Sequence, residues 1–401
     1  LVVLKTLLFT VSFYNTVNHK NNPVKKKERL MLRRENQGDL FDDQVVLPSL
    51  ESVLTGISSS QRCDDRTTYF SAPDVDLSLY DHIIVCLSGG KDSIAAYLRL
   101  VDMGVDKSKV EFWHHDVDGQ EGSSLMDWAF MRDYCRQLGE ELGIPMYFSW
   151  LEGGFEGEML KDNAYSHPHR VETPEGLLVL PTDHKRSKPG TRLRFPQQSP
   201  SLQTRWCSSA LKIDVGRRAL NNQERFKGKK ILFITGERRE ESANRSKYNQ
   251  LEAHACDRRY GKTARLVDAW RPVLHWTEEE VWEVIERHRI LAPVPYRLGW
   301  SRSSCMTCIY NSQRIWSTIR HYWPERAGKI AQYEQTFGVT VSRKKIDVID
   351  LGSAVAPIQI SDVEALEQVS REDYTLPIFV PEGQKWVLPG GAFGREACGS
   401  D

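Results

Sequence analysis

The sequence has no surplus of charge: 54 Lys and Arg stand against 54 Asp and Glu over 401 residues, leaving it formally neutral. That excludes a global basic field for holding nucleic acid and an acidic, disorder-prone composition. Cysteine is scarce, with eight in the chain. This is too few for a disulfide scaffold, so grouped thiols read as metal or redox residues in a reducing, cytoplasmic compartment. The opening stretch LVVLKTLLFTVSFYN is too short to span a bilayer and has no small-residue cleavage site, so no membrane role is expected. The G-x-x-x-x-G-K-[ST] phosphate loop is missing as well.

What is present begins with a basic run, KKKERLMLRR, which reads as a solvated tail before it reads as a nucleic-acid contact. The chain does not start with Met, and Met31 is a candidate native start. Residues 1–75 are expected to be a weakly ordered extension. Order begins with HIIVCL (82–87), an apolar β-branched run bounded by SGG. Further strands are expected at 109–116, 145–151, 229–236 and 264–273. Helices are expected at 93–104, stopping at Gly104, and at 123–143, with a serine cap and a stop at Gly143. WTEEEVWEVIERH (276–288) has a capping box at Thr277 and Glu280. The alternation predicts an α/β fold, a five-stranded parallel sheet with helices on both faces, over residues 76–300. A long insertion interrupts it at 152–204, a helical C-x-x-C segment follows at 301–340, and a C-terminal tail fills 341–401. Within the insertion, Lys185, Arg186, Lys188, Arg192 and Arg194 form a basic arm over 185–194. It is either a clamp on an acidic partner such as nucleic acid or a solvated loop.

Ligands of such sheets sit at the carboxyl ends of the strands, and the polar clusters fall there. SGGKDS (Ser88–Ser93) joins the first strand to a helix. Gly89 and Gly90 allow close backbone approach, and free amides at a helix start suit phosphate. Ser88 and Ser93 offer hydroxyls, Lys91 a point charge, and Asp92 a carboxylate for Mg2+ or for orienting the loop. Asp116 and Asp118 end the second strand and are candidates for ribose hydroxyls or a metal. In TGERREESANRSKY (235–248), Gly236 follows a strand, and Arg238, Arg239 and Arg245 bring forks suited to phosphate or sulfate oxygens.

SGGKDS after an apolar strand resembles the PP-loop of the adenine nucleotide alpha hydrolase-like superfamily. HHDVDG (114–119), RWCSSALK (205–212), TGERREESANRSKY and RPVLHWTEEEVWEVIERHRI (271–290) resemble segments of its phosphoadenosine phosphosulfate (PAPS) reductase branch. The resemblance covers roughly residues 80–320. It implies an adenine nucleotide, either ATP or PAPS/APS, on residues 88–93, 116, 236, 238, 239 and 245, with Mg2+ and with Lys91 and Asp92 in catalytic roles. It also implies a [4Fe–4S] cluster on Cys207, Cys305 and Cys308, zinc being the alternative. Relatives with four-thiolate clusters have a Cys-Cys pair where this chain has Cys207-Ser208. Cluster-free relatives use a cysteine in a C-terminal E-C-G-[LI]-H. Here ACGSD keeps only Cys398-Gly399, which makes Cys398 a candidate nucleophile. Cys86 and Cys135 read as packing residues, and Cys256 as a further thiol. Three functions stay open at this level: reduction of a sulfonucleotide to sulfite with an electron-donor protein, ATP-dependent sulfur transfer to a small molecule or nucleic acid, and a nucleotide-binding zinc module.

Overall fold

The computed structural model describes residues 68–72 and 75–394. Cys63, Cys398, Met31 and the basic run at 25–34 lie outside the described residues. The expected boundary at 75 shifts upstream, because Tyr69 bridges to Leu251 and is buried in the main core.

Eight strands form one mixed sheet in the order β5-β4-β3-β2-β1-β6-β8-β7. They are β1 (His82–Cys86), β2 (Val110–Asp116), β3 (Met146–Leu151), β4 (His169–Thr173), β5 (Gly176–Leu180), β6 (Lys230–Ile234), β7 (Leu251–Ala253) and β8 (Leu266–Trp270). The five strands expected from the sequence are β3, β2, β1, β6 and β8, and each pairs parallel with its neighbour. The expected five-stranded parallel sheet is therefore too small. The insertion supplies the hairpin β4–β5, which adds antiparallel to β3, and β7 closes the other side antiparallel to β8. Both additions are short or partly polar, so their period-2 signal is faint in sequence.

The central strands show why the sheet is covered on both faces. Ile83 and Val85 enter one apolar cluster with Leu232 and Ile234, whereas Ile84 enters a second with Ile231 and Phe233. Alternation of side chains turns one continuous apolar run into contacts on two faces. All three β1 residues are fully buried, worth about 1.5–3 kcal/mol each.

Helices α1 (Lys91–Asp102), α2 (Met131–Leu142), α3 (Gly154–Met159) and α4 (Asp214–Asn222) connect these strands. Beyond β8 come α5 (Glu278–Arg287), α6 (Gln313–Tyr322), α7 (Pro324–Phe337), α8 (Val348–Ser353) and α9 (Val363–Val369). α1 packs on α5, which has the expected capping box of Thr277 and Glu280. α2 starts eight residues later than expected, at Met131, with no side-chain cap. The Asp118 carboxylate takes the N–H groups of Met126 (2.9 Å) and Asp127 (2.7 Å), which holds 123–130 as a loop. Residues 341–394 are no tail, since Val348, Leu351, Val369, Tyr374 and Ile378 join the main core. Among the described residues, no helix is long and apolar enough to cross a membrane.

Candidate functional site

From β1 the chain runs outward to β2 and β3, then returns to β6 on the opposite side of β1. The loops leaving β1 and β6 therefore part at their carboxyl ends, the place where open α/β sheets form a ligand crevice. Ser88–Ser93 and Gly236–Arg238 face each other there. Gly89 has φ +79°, and a Cβ on it would stand 2.5 Å from the Met131 sulfur. A Cβ on Gly236 would overlap the Asp92 carbonyl and stand 2.8 Å from the Ser93 nitrogen. Both glycines are thus required by close approach.

The loop fixes itself through serine. Ser93 Oγ donates to the Gly90 carbonyl (2.8 Å) and accepts from the Ser88 N–H (3.3 Å). The Lys91 N–H is taken by the Tyr296 hydroxyl at 3.0 Å. The amides of Gly89, Gly90 and Asp92 have no protein partner among the described residues. They stand at the start of a twelve-residue helix, where the dipole favours an anion.

The charged residues sit differently from the sequence expectation. Lys91 is buried, donates to the Ser301 carbonyl (3.2 Å) and lies 3.4 Å from Glu278. Burial works against its charge, but Tyr296, Asp92 and Glu278 outweigh that and hold its pKa above the usual lysine value. It ties the loop to the segment carrying the C-x-x-C. Asp92 accepts from Arg238 Nε at 2.6 Å, and Arg238 also meets Glu240 at 2.6 Å. Arg239 turns toward the Phe70 carbonyl and ring, and Arg245 pairs with Glu241. Of the three arginines, only Arg238 reaches the loop. Asp116, at the end of β2, is buried and paired with Arg132. Burial still lifts its carboxyl to about 7, and lifts Asp118 to about 7. Asp118 braces the 123–130 loop and does not stand open for a ligand.

The thiols gather beside this crevice. Cys207 lies on a helical turn, Trp206–Ser208, that runs into a π turn, Ser209–Ile213. Burial works against the charge of Lys212, but Cys305, Asp127, Cys207 and Cys308 outweigh that and hold its pKa above the usual lysine value. The C-x-x-C is fastened by Trp128 Nε1 to the Ser304 carbonyl (2.8 Å) and by Thr307 Oγ1 to the Leu125 carbonyl (2.8 Å). Arg302 donates to Cys308 Sγ at 3.7 Å. Burial and the neighbouring Cys308 lift the Cys207 thiol to about 11, and burial and Asp127 lift Cys305 well above the ordinary value.

Cys207 and Cys305 each feel the charge of Cys308, so the three thiols belong to one neighbourhood. Among the described residues, however, no three histidine, cysteine or carboxylate side chains stand together as a metal-holding group. Asp92 is committed to Arg238 and Lys91, so it does not present a free carboxylate for Mg2+. The described residues therefore give no support to the implied cluster or the implied Mg2+. Cys135 is buried, Cys86 is half-buried in β1, and Cys256 lies apart with its Sγ 4.0 Å from the Arg217 carbonyl. Sequence reasoning missed Tyr296, Glu278, Arg132 and Asp127 in this region. Lys212 stood in a quoted motif, but its interaction with Cys305 and Cys308 needed the fold.

Residues 180–311 match the family model described as the phosphoadenosine phosphosulfate reductase domain, consistent with the PAPS reductase family of the adenine nucleotide alpha hydrolase-like superfamily. The match includes Cys207, Lys212, Arg238 and the C-x-x-C, and it starts after the 88–93 loop. The chain is 28% identical over 264 residues to the uncharacterized 37.8 kDa protein in the gpa 5′ region of Escherichia phage 186, covering 63% of this chain and 74% of that one. Two solved structures of Candida glabrata FMN adenylyltransferase are 11% identical. The complex with FAD and inorganic pyrophosphate has a TM-score of 0.31 and covers 90% of this chain and 88% of that one. The complex with FMN and an ATP analog has a TM-score of 0.30, with coverage of 73% and 74%.

Proposed function

We propose that the chain is an enzyme of the PAPS reductase type, binding an adenine nucleotide in the β1–β6 crevice and doing sulfur chemistry at the adjoining thiols. One observation carries this reading: the open amides of Gly89, Gly90 and Asp92 share a crevice with a C-x-x-C segment that Lys91 ties to their loop. The amides hold the nucleotide phosphates, and Arg238 fixes the loop through Asp92.

Sulfonucleotide reduction then needs two thiols. Cys308, held by the Arg302 N–H, attacks the sulfuryl sulfur. An S–S bond forms, the S–O bond to the nucleotide phosphate breaks, and the electron pair leaves on that phosphate. Cys207 next attacks the Cys308 sulfur, releasing sulfite and leaving a Cys207–Cys308 disulfide. A dithiol electron-donor protein returns the two electrons. The Lys212 charge works against the burial that lifts the Cys207 thiol. Neither Mg2+ nor an iron–sulfur cluster enters a step.

The test is anaerobic incubation of the full chain with PAPS and a reduced dithiol protein. Sulfite release, abolished by Cys308→Ser and by Cys207→Ser, is the expected result. Pyrophosphate release from ATP without sulfite would overturn it in favour of ATP-dependent sulfur transfer, and turnover of neither would leave a binding module.

A further inference from the structure

The π turn Ser209–Ile213 lends Ala210 to a cavity of about 370 Å3, within the usual size range for a small-molecule site. None of its lining residues belongs to the 88–93 loop, to Gly236–Arg245 or to the three thiols. The insertion, the end of β3, β4 and α4 build it.

Its charge is unbalanced. Lys188, Arg192, Arg217 and Arg218 line it against two carboxylates, Glu158 and Asp214. One oxygen of Glu158 is already shared by Arg192 (2.6 Å) and Lys161 (2.8 Å). Asp214 reaches Arg217 only at 3.8 Å. Lys188 and Arg218 have no carboxylate partner among the described residues. The basic arm of the insertion is thus divided: Arg186 pairs locally with Asp183, whereas Lys188 and Arg192 turn to this cavity.

Two buried polar atoms are left open in the same lining. His169 is 5% exposed and its Nδ1 has no hydrogen-bond partner. Glu158 is 1% exposed and its Oε2 has none either. A buried polar atom without a partner is costly, and native proteins leave few. Burial and the Arg218 charge hold the His169 pKa at about 3, so the ring is neutral and can give or take one hydrogen bond at Nδ1. Glu158 Oε2 can only accept. The cavity therefore offers surplus positive charge to an anion and a lone carboxylate oxygen to a hydroxyl.

We propose that this cavity binds a phosphate monoester whose alcohol portion carries a free hydroxyl, as a second ligand distinct from the nucleotide on the 88–93 loop. The phosphate meets Lys188, Arg217 and Arg218, and the hydroxyl meets Glu158 Oε2. A free sugar phosphate and the 5′-phosphorylated end of a nucleic-acid strand both have this chemistry.

Calorimetric titration of the full chain with ribose 5-phosphate, with a 5′-phosphorylated oligothymidylate and with its unphosphorylated counterpart tests it. Saturable binding of ribose 5-phosphate, or of the phosphorylated strand alone, supports the site and identifies its source. The Lys188→Ala/Arg218→Ala variant is expected to bind that probe at least about tenfold more weakly, with ATP affinity unchanged. If that variant does not fold, Lys188→Glu, altered at an exposed side chain, is read instead. No saturable binding of any phosphorylated probe, or equal binding by the variants, overturns the proposal.

Discussion

At the scale of the residue, the crevice depends on groups that touch no ligand. Gly236 leaves no room for a side chain against the Asp92–Ser93 backbone. Gly236→Ala is expected to cost about 1–3 kcal/mol of stability through overpacking and to weaken ATP binding, checked by urea unfolding and calorimetry. Tyr296→Phe leaves the Lys91 N–H without its 3.0 Å partner. That change should cost about 1–3 kcal/mol, visible as a lower unfolding midpoint with an unchanged slope. The two residues differ in legibility. Gly236 could be read from the sequence because it follows an apolar strand within a recognisable motif. Tyr296 meets Lys91 across 205 residues, and no local pattern records such a contact. Lys91 was readable as a charge beside phosphate amides, but its burial against Glu278 and Ser301 was not.

At the scale of the element, the carboxyl end of β2 contains two opposing titrations. Burial lifts Asp116 and Asp118 to about 7. The folded state holds their protons above the pH at which the unfolded state releases them, so their contribution to stability falls as pH rises from about 4 to 7. Burial lowers His114 to about 4 and His115 to about 3. There the unfolded state holds the extra protons, so stability is lost as pH falls from about 6.5 toward those values. The two trends cancel in part over the same window. Asp118→Asn should make stability rise more steeply with pH than in the wild type, and His115→Gln should make it rise less, by up to about 1.4 kcal/mol per pH unit for each group. Urea unfolding at a series of pH values measures both slopes. The strand itself was legible as an apolar run. The sequence pattern starts its neighbour α2 eight residues early, because Asp118, upstream in sequence, holds 123–130 as a loop.

At the scale of the whole molecule, the parallel centre was readable and its borders were not. β4 and β5 lay hidden in an insertion rich in proline and charge, and 341–394 resembled a tail because its apolar residues are widely spaced. Val348, Leu351, Val369, Tyr374 and Ile378 nevertheless complete the core that also packs α1 and the C-x-x-C segment. A chain ending at residue 344 should therefore lose cooperative thermal unfolding. A sharp transition in circular dichroism near the full-length midpoint would count against this packing account.

The central claim is that backbone amides of the 88–93 loop hold a nucleotide phosphate. Gly90 has φ −77°, within the range proline adopts, and a Cβ there would make ordinary contacts with Ser88 Oγ and the Tyr296 hydroxyl at 3.6 Å and the Ser303 carbonyl at 3.7 Å, so proline is compatible with the backbone there and removes the amide donor. The decisive measurement is calorimetric titration of ATP and of PAPS into wild type and Gly90→Pro at matched thermal stability. At least about tenfold weaker binding by the variant is predicted for the nucleotide that binds; unchanged affinity would contradict the account.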